Sequence, residues 1–122
     1  MSGNKIFVDT NTLIYLLDGD SSLADILNQR NIYISFITQL ELLGYPEITE
    51  EDQFQIENLL DNCVIIDINN IKTQVIGIKR KYNLKIPDCI IAATAVYLDL
   101  PLITSDKEFK KIEELNLMLY EK

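Results

Sequence analysis

The feature that most limits how this chain can fold is a regular alternation of short apolar runs with helical patterns. Five runs have the length and composition of buried strands: residues 5–8, 32–34, 64–66, 102–104 and 117–120. Strands separated by helices need crossover connections, and they therefore pair in parallel, with helices covering both faces of the sheet. We predict an α/β fold, a three-layer α/β/α domain with a mostly parallel central sheet of about five strands.

The helices are predicted from their end signals and from the spacing of their apolar residues. They cover residues 13–17, 21–27, 35–44, 49–60, 71–82, 87–98 and, as a short last helix, 107–114. Ser21 or Ser22 is expected to cap the second helix, and Pro87 suits the first position of the sixth. The length of 122 residues is that of one unit, so a single domain is expected over residues 1–122.

The residues that the chain lacks exclude several classes of enzyme. It has no histidine, which excludes Ser-His-Asp and Cys-His sites and histidine-ligated zinc. Cys63 and Cys89 stand in apolar runs, which is typical of buried free thiols. The longest uncharged runs have ten residues, too few to cross a bilayer, and the first residues resemble no signal peptide. We expect a cytoplasmic protein.

The net charge of −8 is unevenly distributed. Residues 1–67 include twelve acidic and two basic side chains, whereas residues 68–122 include seven acidic and nine basic ones. An acidic surface weakens binding to a polyanion. Contact with a nucleic acid would therefore need the basic second half, bound cations or both.

Two aspartates follow predicted strands. Asp9 comes directly after the first strand, and Asp106 follows the fourth strand after Ser105. In a parallel sheet both emerge at the carboxyl edge, where ligands bind in folds of this kind. Either aspartate could instead be a helix N-cap.

Asp88 and Glu41 stand in apolar surroundings. Asp88 lies in the first turn of an otherwise uncharged helix, and its helical neighbours are Ile91, Ala92 and Ala95. A carboxylate on such a face is costly unless it is paired, hydrogen-bonded or bound to metal, although helix capping is the alternative. Glu41 lies among leucines, and its alternative is a solvent-facing position. If the acids converge, a cation is needed, and oxygen ligands suit Mg²⁺ or Mn²⁺.

Four blocks of the chain resemble those of PIN domains, and the VapC-type toxin ribonucleases of type II toxin–antitoxin systems are the most similar group. The blocks are FVDTN, SFITQLEL, IPDCIIAATA and LITSDKEF, at residues 7–11, 35–42, 86–95 and 102–109. They occur in the family's order and extend over nearly the whole chain.

The resemblance implies a Mg²⁺- or Mn²⁺-dependent endoribonuclease that hydrolyses phosphodiester bonds of single-stranded or structured RNA. It implies an antitoxin partner and a homodimer. The catalytic and metal-binding acids would be Asp9, Glu41, Asp88 and Asp106, with Glu41 acting directly or through water. The auxiliary polar residues would be Asn11, Thr104 and Ser105.

Other functions remain open at this point. A PIN-type domain can be a non-catalytic docking module or a housekeeping RNA-processing nuclease. A haloacid-dehalogenase phosphatase would need an aspartate at Asn11, and a response-regulator receiver would need a second acid beside Asp9. Bases in residues 72–85 and 107–111 could contact RNA phosphates, but the sequence does not identify which residues bind substrate.

Overall fold

The central sheet has five strands, all parallel. The fold is known from a computed structural model that describes residues 4–67 and 69–121, and every structural statement concerns these residues. The strands are β1 (Lys5–Val8), β2 (Asn31–Ser35), β3 (Cys63–Ile66), β4 (Leu102–Thr104) and β5 (Leu117–Leu119). Their spatial order is β3-β2-β1-β4-β5, with β1 between β2 and β4. The predicted sheet is confirmed.

Six α-helices connect these strands in the described part of the chain: α1 (Thr10–Leu17), α2 (Ser21–Leu27), α3 (Phe36–Leu43), α4 (Glu50–Leu60), α5 (Lys72–Tyr82) and α6 (Ile86–Leu98). Short 3-10 helices cover Asn69–Ile71 and Lys107–Lys111. The prediction of a helix over residues 107–114 is wrong in type and length. The Ile112 amide bonds to the Phe109 carbonyl, which is a 3-10 contact, and the chain then turns toward β5.

The helix starts agree with the sequence signals except in three details. Helix α1 begins at Thr10, three residues before the predicted start, with Asp9 as its N-cap. The Asp20 carboxylate caps α2 by accepting from the Leu23 amide at 3.1 Å, so the prediction of Ser21 or Ser22 as the cap is wrong. Helix α6 begins one residue before Pro87, at Ile86. Thr49 and Asp52 form a reciprocal capping box at the start of α4.

Apolar residues pack on both faces of the sheet, which confirms three layers. Phe7 belongs to one buried cluster, whereas Ile6 and Val8 belong to another, because successive strand residues point to opposite faces. The first cluster includes residues of α5 and α6 such as Ile78, Ile91, Ala92 and Ala95. The second includes residues of α1, α2 and α4 such as Leu13, Leu23, Ile56 and Leu60.

The two thiols and the helix lengths also bear on the sequence predictions. Cys63 and Cys89 are both free, with Cys89 buried and Cys63 half-buried. Burial raises the pKa of the Cys63 thiol to about 11, so it remains protonated and unreactive at neutral pH. No helix in residues 4–67 and 69–121 is long and apolar enough to span a membrane.

We expect Thr49→Ala to lower the free energy of unfolding by about 1 kcal/mol, because it removes the side-chain acceptor of the Asp52 amide. Urea titration followed by circular dichroism measures this loss. Thr73→Ala is the matched control, because Thr73 is exposed in the first turn of α5 and makes no side-chain hydrogen bond with a described residue. An equal loss in both variants would contradict the capping role.

Candidate active site

Asp9 and Asp106 lie at the carboxyl edge of the sheet, as their positions after strands predict. Asp9 directly follows β1 and caps α1, and Asp106 follows β4 and caps the 3-10 helix Lys107–Lys111. Strands β1 and β4 are parallel neighbours. The two carboxylates are close enough that the charge of Asp106 raises the pKa of Asp9.

The Thr104 hydroxyl joins these two residues. Its Oγ1 donates to Asp9 Oδ2 at 2.5 Å and accepts from the Asp106 backbone N–H at 3.0 Å. The side chain is fully buried at the end of β4. The hydroxyl therefore orients the Asp9 carboxylate and fixes the backbone at Asp106.

Burial is the main cause of the shifted ionisation of Asp9. Only 4% of the residue is exposed, and this burial raises the pKa of its carboxyl. Thr104 opposes the rise through its hydroxyl, and the Thr12 N–H does so by donating to Asp9 Oδ1 at 3.1 Å. The buried Thr12 hydroxyl also approaches the carboxylate and lowers its pKa, but it forms no full hydrogen bond with a described residue.

Asp88 accepts no hydrogen bond from a described residue that would stabilise its charge. The residue is half-buried in the first turn of α6, and its side chain makes no cap hydrogen bond and no salt bridge with any residue of the described ranges. The alternative of helix capping is therefore wrong for Asp88. Burial is the largest cause of its raised pKa, followed by the charges of Asp106, Asp9 and Glu41. Lys85 opposes this rise only in part.

Glu41 faces the start of α1. The residue is exposed on α3, as the solvent-facing alternative predicted, yet its Oε1 accepts from the Thr10 hydroxyl at 2.7 Å. Thr10 Oγ1 also lies 3.0 Å from Thr38 Oγ1. Because Glu41 raises the pKa of Asp88, all four predicted acids belong to one electrostatically coupled group, which we call the carboxylate cluster.

The predicted auxiliary residues differ in their surroundings. Thr104 lies within the carboxylate cluster, and Ser105 is half-buried beside it in the chain. Asn11 is exposed and makes no side-chain hydrogen bond with a described residue. Sequence reasoning missed Thr38, whose only signal was its position one helical turn before Glu41.

The carboxylate cluster has suitable ligand atoms for a hard divalent cation, but it is not a preformed metal site. Its donors are all oxygen atoms, which Mg²⁺ and Mn²⁺ prefer. The mutual repulsion at Asp88 is the kind that a cation relieves. Nowhere in residues 4–67 and 69–121 do three or more His, Cys, Asp or Glu side chains form a group that could hold a metal ion. The carboxylate oxygens are therefore suitable metal ligands, and binding of a metal ion would require them to approach one another.

We expect Asp88→Asn to stabilise the metal-free protein at neutral pH and not in acid. The pKa of Asp88 is raised above its ordinary value of 3.8, so the native state binds this proton more tightly than the unfolded state. The free energy of unfolding therefore falls as pH rises from below 3.8 through the raised pKa, and the variant removes this fall.

Urea unfolding in the presence of a chelator, repeated across this pH range, measures the difference. Asp25→Asn is the control, because Asp25 is exposed on α2 and lies outside the carboxylate cluster. If Asp88→Asn raised the free energy of unfolding by the same amount at every pH, repulsion at Asp88 would not be the source of the increase.

Known proteins resemble this chain over nearly its whole length. A toxin–antitoxin complex from Klebsiella pneumoniae is 30% identical with a TM-score of 0.82, and the match covers 96% of this chain and 99% of that one. VapBC-1 from nontypeable Haemophilus influenzae is 26% identical with a TM-score of 0.74, over 94% and 97% of the two chains. VapBC2 from Rickettsia felis, bound to a DNA fragment from its promoter, has a TM-score of 0.86 over 96% and 99% of the chains, and its 22% identity shows the fold alone.

The family assignment depends on the sequence profile together with the fold. Curated proteins provide no significant match. The PIN-domain profile matches residues 6–115, which include all four acids of the carboxylate cluster. The chain therefore belongs to the PIN-domain family.

Proposed function

We propose that this chain is an endoribonuclease that uses Mg²⁺ or Mn²⁺ to hydrolyse phosphodiester bonds of RNA, and that it is the toxin of a toxin–antitoxin pair. The observation that supports this most is the environment of Asp88. It is half-buried, it has no hydrogen-bond donor among the described residues, and it is repelled by three other carboxylates. A structural role alone does not account for a carboxylate placed at this cost.

The same environment favours an enzyme over a non-catalytic docking module. A docking surface does not require acids from three other segments to lie close enough to raise the pKa of Asp88. Clusters of titratable groups with shifted pKa values are typical of active sites. The acids of the carboxylate cluster come from the ends of β1 and β4 and from α3 and α6.

Each acid has a role in this proposal. Asp9, Asp88 and Asp106 would hold the metal ion, which when bound lowers the pKa of water and neutralises charge on the phosphoryl group. Glu41 Oε1 is occupied by the Thr10 hydroxyl, and its Oε2 has no partner in the described ranges. That oxygen can accept a proton from the attacking water, or bind the ion through a water molecule. Thr104 keeps the Asp9 carboxylate in place.

An apolar groove beside Glu41 supports a protein partner. The groove has a volume of about 350 Å³ and lies between α1, α3 and α4. Its apolar lining is Ile14, Leu17, Leu42, Tyr45, Ile48 and Ile56, and its acidic lining is Asp18, Glu41 and Asp52. No basic residue lines it. A segment with apolar and basic side chains would complement this lining. We propose that an antitoxin inserts such a segment. The similarity of this chain to a toxin–antitoxin complex from Klebsiella pneumoniae supports this partner.

We also propose where the protein acts and how it assembles. We place the protein in the cytoplasm, in agreement with its two free thiols, as a single nuclease domain over residues 1–122. We also propose a homodimer. An apolar hollow on α3, α5 and α6, lined in part by Phe36, Val75, Ile76 and Ile90, supports a surface for self-association.

We expect Asp9→Asn to abolish metal-dependent cleavage of RNA, because the neutral amide weakens the metal site. Gel analysis of a labelled single-stranded RNA, with Mn²⁺ and with a chelator, measures cleavage. Mn²⁺ should also raise the melting temperature of the parent protein but not that of Asp9→Asn, since ligand binding to the native state stabilises it.

Asp25→Asn again provides the matched control and should cleave RNA like the parent protein. Cleavage by purified Asp9→Asn at the parent's rate would contradict the assigned roles. The parent's failure to cleave any RNA with Mn²⁺ present would overturn the proposed function itself.

We expect Tyr45→Ala to weaken binding of the antitoxin about tenfold, because an aromatic side chain in a groove is a frequent anchor of binding energy. Tyr45 is 55% exposed, so its removal should not unfold the domain. The assay is calorimetric titration with the protein encoded by the adjacent reading frame.

Phe54→Ala is the control for this loss. Phe54 is 66% exposed on α4 but does not line the groove. Equal weakening by both variants would refute the groove as the binding surface, and no binding to the parent protein would refute the partner.

A further inference from the structure

We propose that a polar cleft lined by both chain neighbours of Asp106 binds one nucleotide of a single-stranded RNA next to the cleaved phosphate. This inference rests on the proposed function and names the residues that hold its substrate. The cleft has a volume of about 420 Å³, and its lining is Tyr15, Ser105, Lys107, Leu119, Tyr120 and Glu121. We call it the lysine cleft.

The lysine cleft lies at the carboxyl edge of the sheet. Ser105 and Lys107 precede and follow Asp106 directly, and Ser105 is the first residue after β4. Leu119 is the last residue of the neighbouring strand β5. If the proposed metal ion holds the cleaved phosphate beside Asp106, the neighbouring nucleotide lies close to this cleft.

The charges favour RNA here rather than in the groove beside Glu41. The cleft is lined by one basic and one acidic residue, Lys107 and Glu121, whereas three acids and no base line the groove. Lys107 is exposed and makes no salt bridge with any residue in the described ranges. Lys111 on the same 3-10 helix is instead paired with Glu108 at 3.0 Å. Lys107 is therefore available for a backbone phosphate.

An aromatic wall of the cleft is held in place by hydrogen bonds. The Tyr120 hydroxyl lies 2.8 Å from each carboxylate oxygen of Asp20, the residue that caps α2. The ring is half-buried, and it is thus fixed before any ligand arrives. A fixed ring loses little entropy on binding and provides a stacking surface for any base.

Together these features select the class of substrate. Lys107 contacts the phosphate, which positions the strand, and Tyr120 stacks on the base. A base reaches a tyrosine ring only when it is unstacked from its own helix, so the cleft favours single-stranded RNA over duplex RNA. Stacking tolerates every base, and this contact therefore sets position rather than sequence.

The experiment measures binding of a labelled, mixed-sequence single-stranded RNA by fluorescence anisotropy. All proteins include Asp9→Asn and a chelator is present, so that the RNA is not consumed and binding by the cleft is measured without the metal site. We expect Lys107→Ala to weaken binding about tenfold and to reduce the slope of log Kd against log salt by about 0.7, the value for one phosphate contact. Lys110→Ala removes the same charge from the same 3-10 helix outside the cleft, and it should change Kd less than about twofold.

The ring is tested separately. Tyr120→Leu should weaken binding about tenfold through lost stacking, whereas Tyr120→Phe retains the ring and should bind within about twofold of the parent. Melting temperatures of both variants are recorded. The stacking contact would be overturned if Tyr120→Leu and Tyr120→Phe weakened RNA binding equally, or if Tyr120→Leu did not weaken it.

The outcomes separate this inference from the proposed function. If the chain that retains Asp9 cleaves RNA, but Lys107→Ala does not weaken RNA binding, the lysine cleft alone is refuted. Tighter binding of duplex than of single-stranded RNA also refutes it. If Lys107→Ala weakens binding of the adjacent-frame protein and not of RNA, the cleft is a protein surface and the inference is wrong. Absence of cleavage by the chain without Asp9→Asn refutes the proposed function.

Discussion

The bond from the Thr104 hydroxyl to Asp9 is the interaction on which the candidate site most depends. Asp9 is almost fully buried beside another carboxylate, and burial of an uncompensated ion costs several kcal/mol. Hydrogen bonds to a charged group stabilise it by about 1.5–3 kcal/mol each, and Asp9 accepts two, from Thr104 and from the Thr12 amide. The parallel pairing of β1 with β4 makes the first of these possible. These two hydrogen bonds therefore offset part of the cost of placing Asp9 close to Asp106.

Helix capping and catalysis are compatible roles for the strand-end acids. Asp9 caps α1 and Asp106 caps a 3-10 helix, so both structural alternatives were correct for these residues. A cap uses one carboxylate oxygen and leaves lone pairs for a cation. Asp88 differs, since it lies in the first turn of α6 without a cap bond. The charge of Asp88 is therefore the least compensated of the four, and in a nuclease site a bound cation would relieve its repulsion by the other acids.

The fold also separates the two kinds of surface beside the carboxylate cluster. The groove between α1, α3 and α4 is acidic and apolar, and the lysine cleft beside β4 and β5 is polar and nearly neutral. This distribution is compatible with the proposed RNA substrate despite a net charge of −8, because three of the acids in the first half line the groove of the proposed protein partner. A partner segment in the groove would reach Glu41, and could thereby inhibit cleavage without occupying the lysine cleft.

The sequence by itself determined the strands, the parallel sheet and the placement of Asp9 and Asp106 at one edge, because each follows from local periodicity and from position after a strand. It could not distinguish Asp20 from Ser21 as a cap, since both can accept the same amide bond. The resemblance to PIN domains predicted that Asp88 and Glu41 act with the strand-end acids, but only the tertiary structure decided how they are placed around them. Only the tertiary structure also decided that Thr10 lies between Glu41 and Thr38, and which cleft contains Lys107. These contacts join residues far apart in the chain. They depend on how α3 and α6 pack against the sheet, which no local pattern encodes.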